Sequence, residues 1–321
     1  MDDRSRGEEQ TEMSTSTAPH PAARSAFSGL IDYAGLFPPA QLSLAQAVEE
    51  YERERVGTCA WMLGRFILPA SLLEAEPAGA RGPLSVILDV PADPRQWFDA
   101  LQGRVRGVAE ARAAGAAVDV FEVPLPKLLA QRDTHGAAIG QLRAALDRGG
   151  LAGIPTFVEI PRDDRWAQML APTMEALARL GFGAKIRCGG ATPDAFPSVD
   201  DVVAFVSAAV ATGVAFKATA GLHHPVRGHV GDGAGRMHGF LNILAAAAVA
   251  PRAGLEMLSR IVAEEDAAAF RFDETALWWR EERIGDEALR AARRAAFVSY
   301  GSCSFSEPVE DLTALGLLGP A

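Results

Sequence analysis

The chain has 321 residues, 49% hydrophobic and 22% charged, with 31 basic and 41 acidic side chains and a net charge of −10. This composition supports a sizeable core, and its acidity argues against a general nucleic-acid binder, which needs a basic face. Three scattered cysteines without C-x-x-C spacing argue against a disulfide scaffold or a structural zinc site. No apolar run approaches a membrane span and no secretory leader opens the chain, so a cytoplasmic protein without membrane contact is expected.

In chain order, the Ser/Thr/Glu/Pro-rich residues 1–25 are expected to form a disordered tail. Short β-rich runs follow at 30–33, 59–68, 84–90, 118–123, 156–160, 184–187, 215–218 and 270–273. Helical patterns at 43–55, 95–114, 136–148, 165–180 and 198–212 alternate with them. Two helices in series are expected at 238–250 and 254–266, and a last one at 286–298. Near-continuous apolar strands alternating with helices imply a parallel sheet covered on both faces. Eight such units over residues 26–300 predict a single (β/α)8 TIM-barrel domain, with 301–321 folding against it as a C-terminal cap. An open doubly wound sheet is the competing architecture, but no Gly-rich turn follows the first run.

In a barrel, polar residues at the C-terminal strand ends face the active-site mouth. Here these positions hold Asp32, Arg65, Asp89, Glu122, Glu159, Lys185, Arg187, Cys188, Lys217 and Asp273. Asp89 and Asp273 read equally well as helix caps. Glu122 and Glu159 lie within apolar runs, where an acid must be paired or line a cavity. Cys188 beside Arg187 raises the option of a lowered thiol pKa.

Only three of the 31 basic residues are lysines, Lys127, Lys185 and Lys217; the rest are arginines, which cannot deprotonate. Lys185 and Lys217 end consecutive strands, so their ammonium groups are expected close together. Like charges at that range favour a neutral amine on one of them, and a neutral amine forms a Schiff base with a carbonyl. Two fixed cations holding a carboxylate or phosphate, or two structural lysines, are the alternatives.

The segment Leu30-Ile-Asp-Tyr-Ala-Gly-Leu-Phe-Pro-Pro39, with Lys185 and Lys217, resembles the deoxyribose-phosphate aldolase family of class I aldolase barrels. That family carries a Schiff-base lysine on strand six and a second lysine on strand seven. The resemblance implies that Lys185 is the nucleophile, Asp32 a polar residue near the catalytic centre and Glu122 the acidic proton relay of strand four. The chain departs from the family after both lysines. Lys185 is followed by Ile-Arg-Cys-Gly-Gly190, and Ala220-Gly-Leu-His-His-Pro225 replaces the phosphate-binding Gly-Gly pair.

Four of the six histidines, His223, His224, His229 and His238, fall in one stretch after the Lys217 strand, together with Arg227, Arg236 and a Gly231-x-Gly-x-Gly235 pattern. Imidazoles there serve as acid–base groups, as metal ligands, or as plain loop hydrogen-bonders. Glycine in that pattern hints weakly at a phosphate loop.

The leading reading is a lyase or aldolase without a cofactor, acting on a small carbonyl compound. Lys185, Lys217, Glu122 and Asp32 would be catalytic, and Arg187, Glu159, His223, His224, Arg227 and Arg236 would contact substrate. A metal-dependent barrel hydrolase or lyase is the second reading, with a divalent metal on Glu159 and the His223/His224/His238 loop. The third is a non-catalytic barrel that holds an anionic metabolite. A small-molecule partner is common to all three, and a homo-oligomer is compatible with each.

Overall fold

The structure is a computed structural model that describes residues 19–75, 82–126, 135–190, 192–229 and 235–318. Eight parallel strands close into a barrel: β1 (Ile31–Tyr33), β2 (Leu63–Pro69), β3 (Leu84–Ile87), β4 (Val118–Pro124), β5 (Thr156–Glu159), β6 (Gly183–Arg187), β7 (Phe216–Thr219) and β13 (Phe297–Ser302). A small ribbon, β8 (Gly228–His229) with β9 (Arg236–Met237), follows β7. An antiparallel sheet of β10 (Phe270–Phe272), β11 (Ala276–Trp279) and β12 (Glu282–Gly285) precedes the last barrel strand. The predicted (β/α)8 architecture is therefore present.

The eighth strand is not where the sequence pattern placed it. Phe270-Arg-Phe-Asp273 turns back on itself, because Asp273 Oδ1 accepts from the Thr275 and Ala276 N–H groups at 2.7 and 2.9 Å. That side chain closes a hairpin, and β10 pairs with β11 rather than with a barrel strand. Phe297–Ser302 closes the barrel instead, pairing with β7 and β1. Gly301 and Ser302, expected in a cap, belong to this strand, and the helix Ser306–Ala314 completes its βα unit.

Around the barrel run α2 (Leu44–Glu54), α3 (Ala70–Ala75), α4 (Pro94–Ala113), α5 (His135–Arg148), α6 (Trp166–Leu180), α7 (Val199–Thr212), α8 (Phe240–Val249), α9 (Leu255–Ala263), α10 (Asp286–Ala295) and α11 (Ser306–Ala314). Starts and stops follow local chemistry. Ser43 with Gln46, and Ser198 with Asp201, form capping boxes, while Gly181 and Gly213 end α6 and α7 in the left-handed conformation. The stretch Pro193–Thr212 has a mean hydropathy of 1.4 and is long and apolar enough to cross a membrane. The aspartates among its first residues hid that property from the sequence reading. In the fold, α7 packs against α6, α8 and α9, and Phe205 sets its ring edge-on to Phe216 of β7. Every residue of α8 is buried, because α9 and α10 pack over it.

A further helix, α1 (Pro21–Phe27), lies inside the segment expected to be an unstructured tail. It packs on α10, buries Ala22, Ala23, Ala26 and Phe27, and sets Phe27 edge-on to Phe272 and Phe240. Alanines close-pack well despite contributing little to a count of large apolar residues, so the expected boundary at residue 25 is too late. The remainder of that expected tail, residues 1–18, lies outside the described residues, as do Lys127, Gly231, Gly233 and residues 319–321.

Candidate active site

Strand register places the central residues. Lys185 on β6 faces Lys217 on β7 and Glu159 on β5, and Lys217 in turn faces Ser299 on β13. These side chains share the inward face of the pleat. A bulge between Phe297 and Ser299 resets the alternation of β13, and the hydroxyl of Ser299 reaches Asp32 in the interior.

Inside the barrel, charges alternate along one chain of contacts. Asp32 Oδ2 lies 2.7 Å from Lys217 Nζ, and Lys217 also contacts Glu122 Oε1. Glu122 Oε2 lies 2.6 Å from Lys185 Nζ, which is 2.9 Å from Glu159 Oε2. Arg187 closes the series by donating from Nε to Glu159 Oε1 at 3.0 Å. Asp32, Glu122, Lys185 and Lys217 are no more than 3% exposed, whereas the Arg187 side chain is 52% exposed at the mouth. Buried charges of this kind are tolerable only when each is neutralised and hydrogen-bonded. Three carboxylates alternating with three cations meet that condition.

Hydroxyl and backbone groups complete the pairing. Ser85 Oγ donates to Glu122 Oε1 at 2.7 Å and accepts from Lys217 Nζ at 3.1 Å. Ser299 Oγ and the Arg65 N–H both donate to Asp32 at 2.7 Å. The Phe157 ring lies beneath Lys217 Nζ at 5.8 Å, within cation–π range. A Cβ at Gly64 would collide with Asp32 Oδ1, so the glycine makes room for that carboxylate. Ser85, Ser299 and Gly64 escaped the sequence reading; a hydroxyl inside an apolar strand was the only signal for the two serines.

The electrostatics differ from the expected lysine–lysine repulsion. Burial pushes the Lys185 pKa down, but Glu122 and Glu159 outweigh it and hold the ammonium above its usual value. Burial pushes the Glu122 carboxyl up, and Lys185 and Lys217 overcome this to hold it far below the usual carboxylate range. Glu159 is lowered in the same way by Lys185 and Arg187. Glu122 thus stands between the two cations, and the resting state of Lys185 is an ammonium rather than the expected neutral amine. Burial pushes the Cys188 thiol up to about 12, which removes the option of a thiolate there.

The histidine stretch is engaged elsewhere. His223 Nδ1 pairs with Glu307 Oε2 at 3.1 Å, His224 Nδ1 with Asp311 Oδ2 at 2.6 Å, and buried His238 Nε2 with the Pro197 carbonyl at 2.8 Å. Arg227 and Arg236 both bind Glu265, the latter at 2.6 Å. Among the described residues none of these side chains bonds to the buried charge chain. The expected metal set of Glu159, His223 and His238 is likewise dispersed, since Glu159 is held by Lys185 and Arg187. Among the described residues, no group of three or more His, Cys, Asp or Glu is arranged to hold a metal. Asp89 accepts from the Ser71 N–H at 3.0 Å and pairs with Arg104, so it serves α3 and α4 outside the barrel.

No protein-family model matches the chain, and no curated protein does. Among solved structures, the chain is similar to the deoxyribose phosphate aldolase of Aeropyrum pernix, described as a unique tetramer. The match has 12% sequence identity, covers 91% of this chain and 93% of that one, and has a TM-score of 0.51. At this identity the likeness establishes a shared aldolase-like barrel fold.

Proposed function

We propose that the protein is a lyase of the aldolase type that forms a Schiff base between Lys185 and a small carbonyl compound. The observation that carries this reading is the position of Lys185: a buried ammonium at a strand end, held between two carboxylates beside the mouth. Lys217, enclosed by Asp32, Glu122 and Ser85, acts as a fixed cation.

On this reading, Lys185 first passes a proton to Glu122 or Glu159, because only the free amine carries a lone pair. The amine adds to the carbonyl carbon, the resulting carbinolamine loses water, and an iminium forms. As a carboxylate takes the proton of the β-hydroxyl, the bond between the α and β carbons breaks, its electron pair flows into the iminium to give an enamine, and the β carbon leaves as a carbonyl. In the synthetic direction the enamine attacks that carbonyl. Glu122, hydrogen-bonded to Ser85 and anchored by Lys217, returns the proton, and hydrolysis regenerates Lys185. An assembly of several copies is part of the proposal, suggested by the tetramer described for the structural neighbour; light scattering of the full chain tests it.

Borohydride trapping with a panel of small carbonyl compounds tests the chemistry. Trapped mass should appear on Lys185. Lys185→Arg should abolish trapping, since arginine has no available lone pair at neutral pH. Lys217→Arg should slow trapping without abolishing it. Equal trapping in both variants would discard the Schiff-base reading.

A further inference from the structure

In (β/α)8 barrels a phosphate group commonly settles where the loops after the seventh and eighth strands meet a helix N-terminus. In this chain the protein's own groups fill that corner. The loop after β7 sends His223 to Glu307 and His224 to Asp311, and both acids belong to α11, which follows the closing strand. Glu307 stands in the first turn of α11, where the helix dipole favours a negative charge, and its N–H donates to Ser304 Oγ at 3.2 Å. The glycines beside this corner serve packing. A Cβ on Gly221 would lie 2.8 Å from the Cys188 carbonyl and 3.0 Å from Gly189 Cα, so the loops after β6 and β7 already touch. A phosphate dianion brought here meets two carboxylates and a closed backbone seam.

A cation open to a ligand stands beside this corner, at the end of β6. Arg187 uses Nε on Glu159, and neither of its Nη atoms bonds to the protein among the described residues. That free edge offers two N–H groups in the planar geometry that matches a carboxylate. Arg187 is two residues beyond Lys185 on the same strand, hence on the same face and about 6.6 Å further toward solvent at about 3.3 Å per residue. A carboxylate held there leaves a nearby carbonyl carbon within reach of Lys185.

We propose that the substrate is an unphosphorylated oxo acid, with its carboxylate on Arg187 and its carbonyl at Lys185, and with phosphorylated analogues excluded by the Glu307 and Asp311 corner. This deepens the Schiff-base reading and rests on it.

The experiment measures binding of pyruvate, hydroxyacetone and dihydroxyacetone phosphate to the full chain by calorimetry, then borohydride trapping with the same three. Pyruvate should bind at least about tenfold more tightly than either of the others, as expected for charge-assisted hydrogen bonds. Arg187→Gln should erase that preference, and Arg187→Lys should restore part of it. Absence of pyruvate binding, equal or tighter binding of dihydroxyacetone phosphate, or an undiminished preference in Arg187→Gln overturns the proposal. Trapping separates the two readings. Tight, Arg187-dependent pyruvate binding without trapping keeps the substrate class and removes the imine. Trapping of hydroxyacetone or dihydroxyacetone phosphate as fast as pyruvate keeps the imine and removes the substrate class.

Discussion

Ser299 Oγ donates to Asp32 Oδ2 at 2.7 Å and so ties the closing strand of the barrel to the opening one across 267 positions of sequence. The bond is buried, and Asp32 shares the same oxygen with Lys217. Ser299→Ala removes one donor from a carboxylate that keeps two other partners, so destabilisation of about 1 kcal/mol is expected. Urea denaturation measures it. An unchanged midpoint would show that the hydroxyl contributes nothing to closure.

Glu122→Gln should be far more damaging. The carboxylate is the shared counter-ion of Lys185 and Lys217, and the amide leaves two buried cations with one carboxylate each. A loss of about 3–5 kcal/mol is expected, as when a buried ion pair loses one partner. A variant as stable as the parent in guanidinium would mean that the lysines shed their protons without cost.

The pH dependence of stability follows from two opposite shifts. Glu122 normally titrates near 4.5 and is depressed in the fold, so its contribution is present above that pH and lost as pH falls through the depressed value. Lys185 normally titrates near 10.5 and is raised, so its contribution is complete below 10.5 and lost as pH rises through the raised value. The cluster should therefore hold stability level across the neutral range and lose it only at the extremes. Melting curves recorded across pH provide the check; a steep decline between about pH 7 and 9 that Lys185→Arg removes would contradict a raised Lys185 pKa.

Phe27→Ala tests the docking of α1. The ring is fully buried between Phe240 and Phe272, so its truncation should cost about 3–5 kcal/mol. An effect below about 1 kcal/mol would place α1 among the dispensable parts of the chain.

Much of this arrangement was legible in the residues. Glu122, Lys185 and Lys217 are charged positions inside apolar runs, and such positions in a buried strand must point into a shared interior. Their neighbours on the pleat were therefore inferable, but their pairing was not. Whether Lys185 faces a cation or a carboxylate depends on how far side chains reach across the lumen from β4, which no local pattern records. The closing strand was missed for a related reason. Phe-Val-Ser-Tyr-Gly-Ser302 lacks a clean alternation because its bulge turns Ser299 inward, whereas Phe270-Arg-Phe-Asp273 alternates well and forms a hairpin. The histidines suggested catalysis through their density alone, and the acids that engage two of them lie more than 80 positions downstream.

The His20 N–H donates to the Leu318 carbonyl at 3.2 Å, which brings the two ends of the described chain together on the face where the strands begin, opposite the lysines. A short linker between these points would restart the polypeptide within any exposed helix connection while leaving every barrel pairing in place.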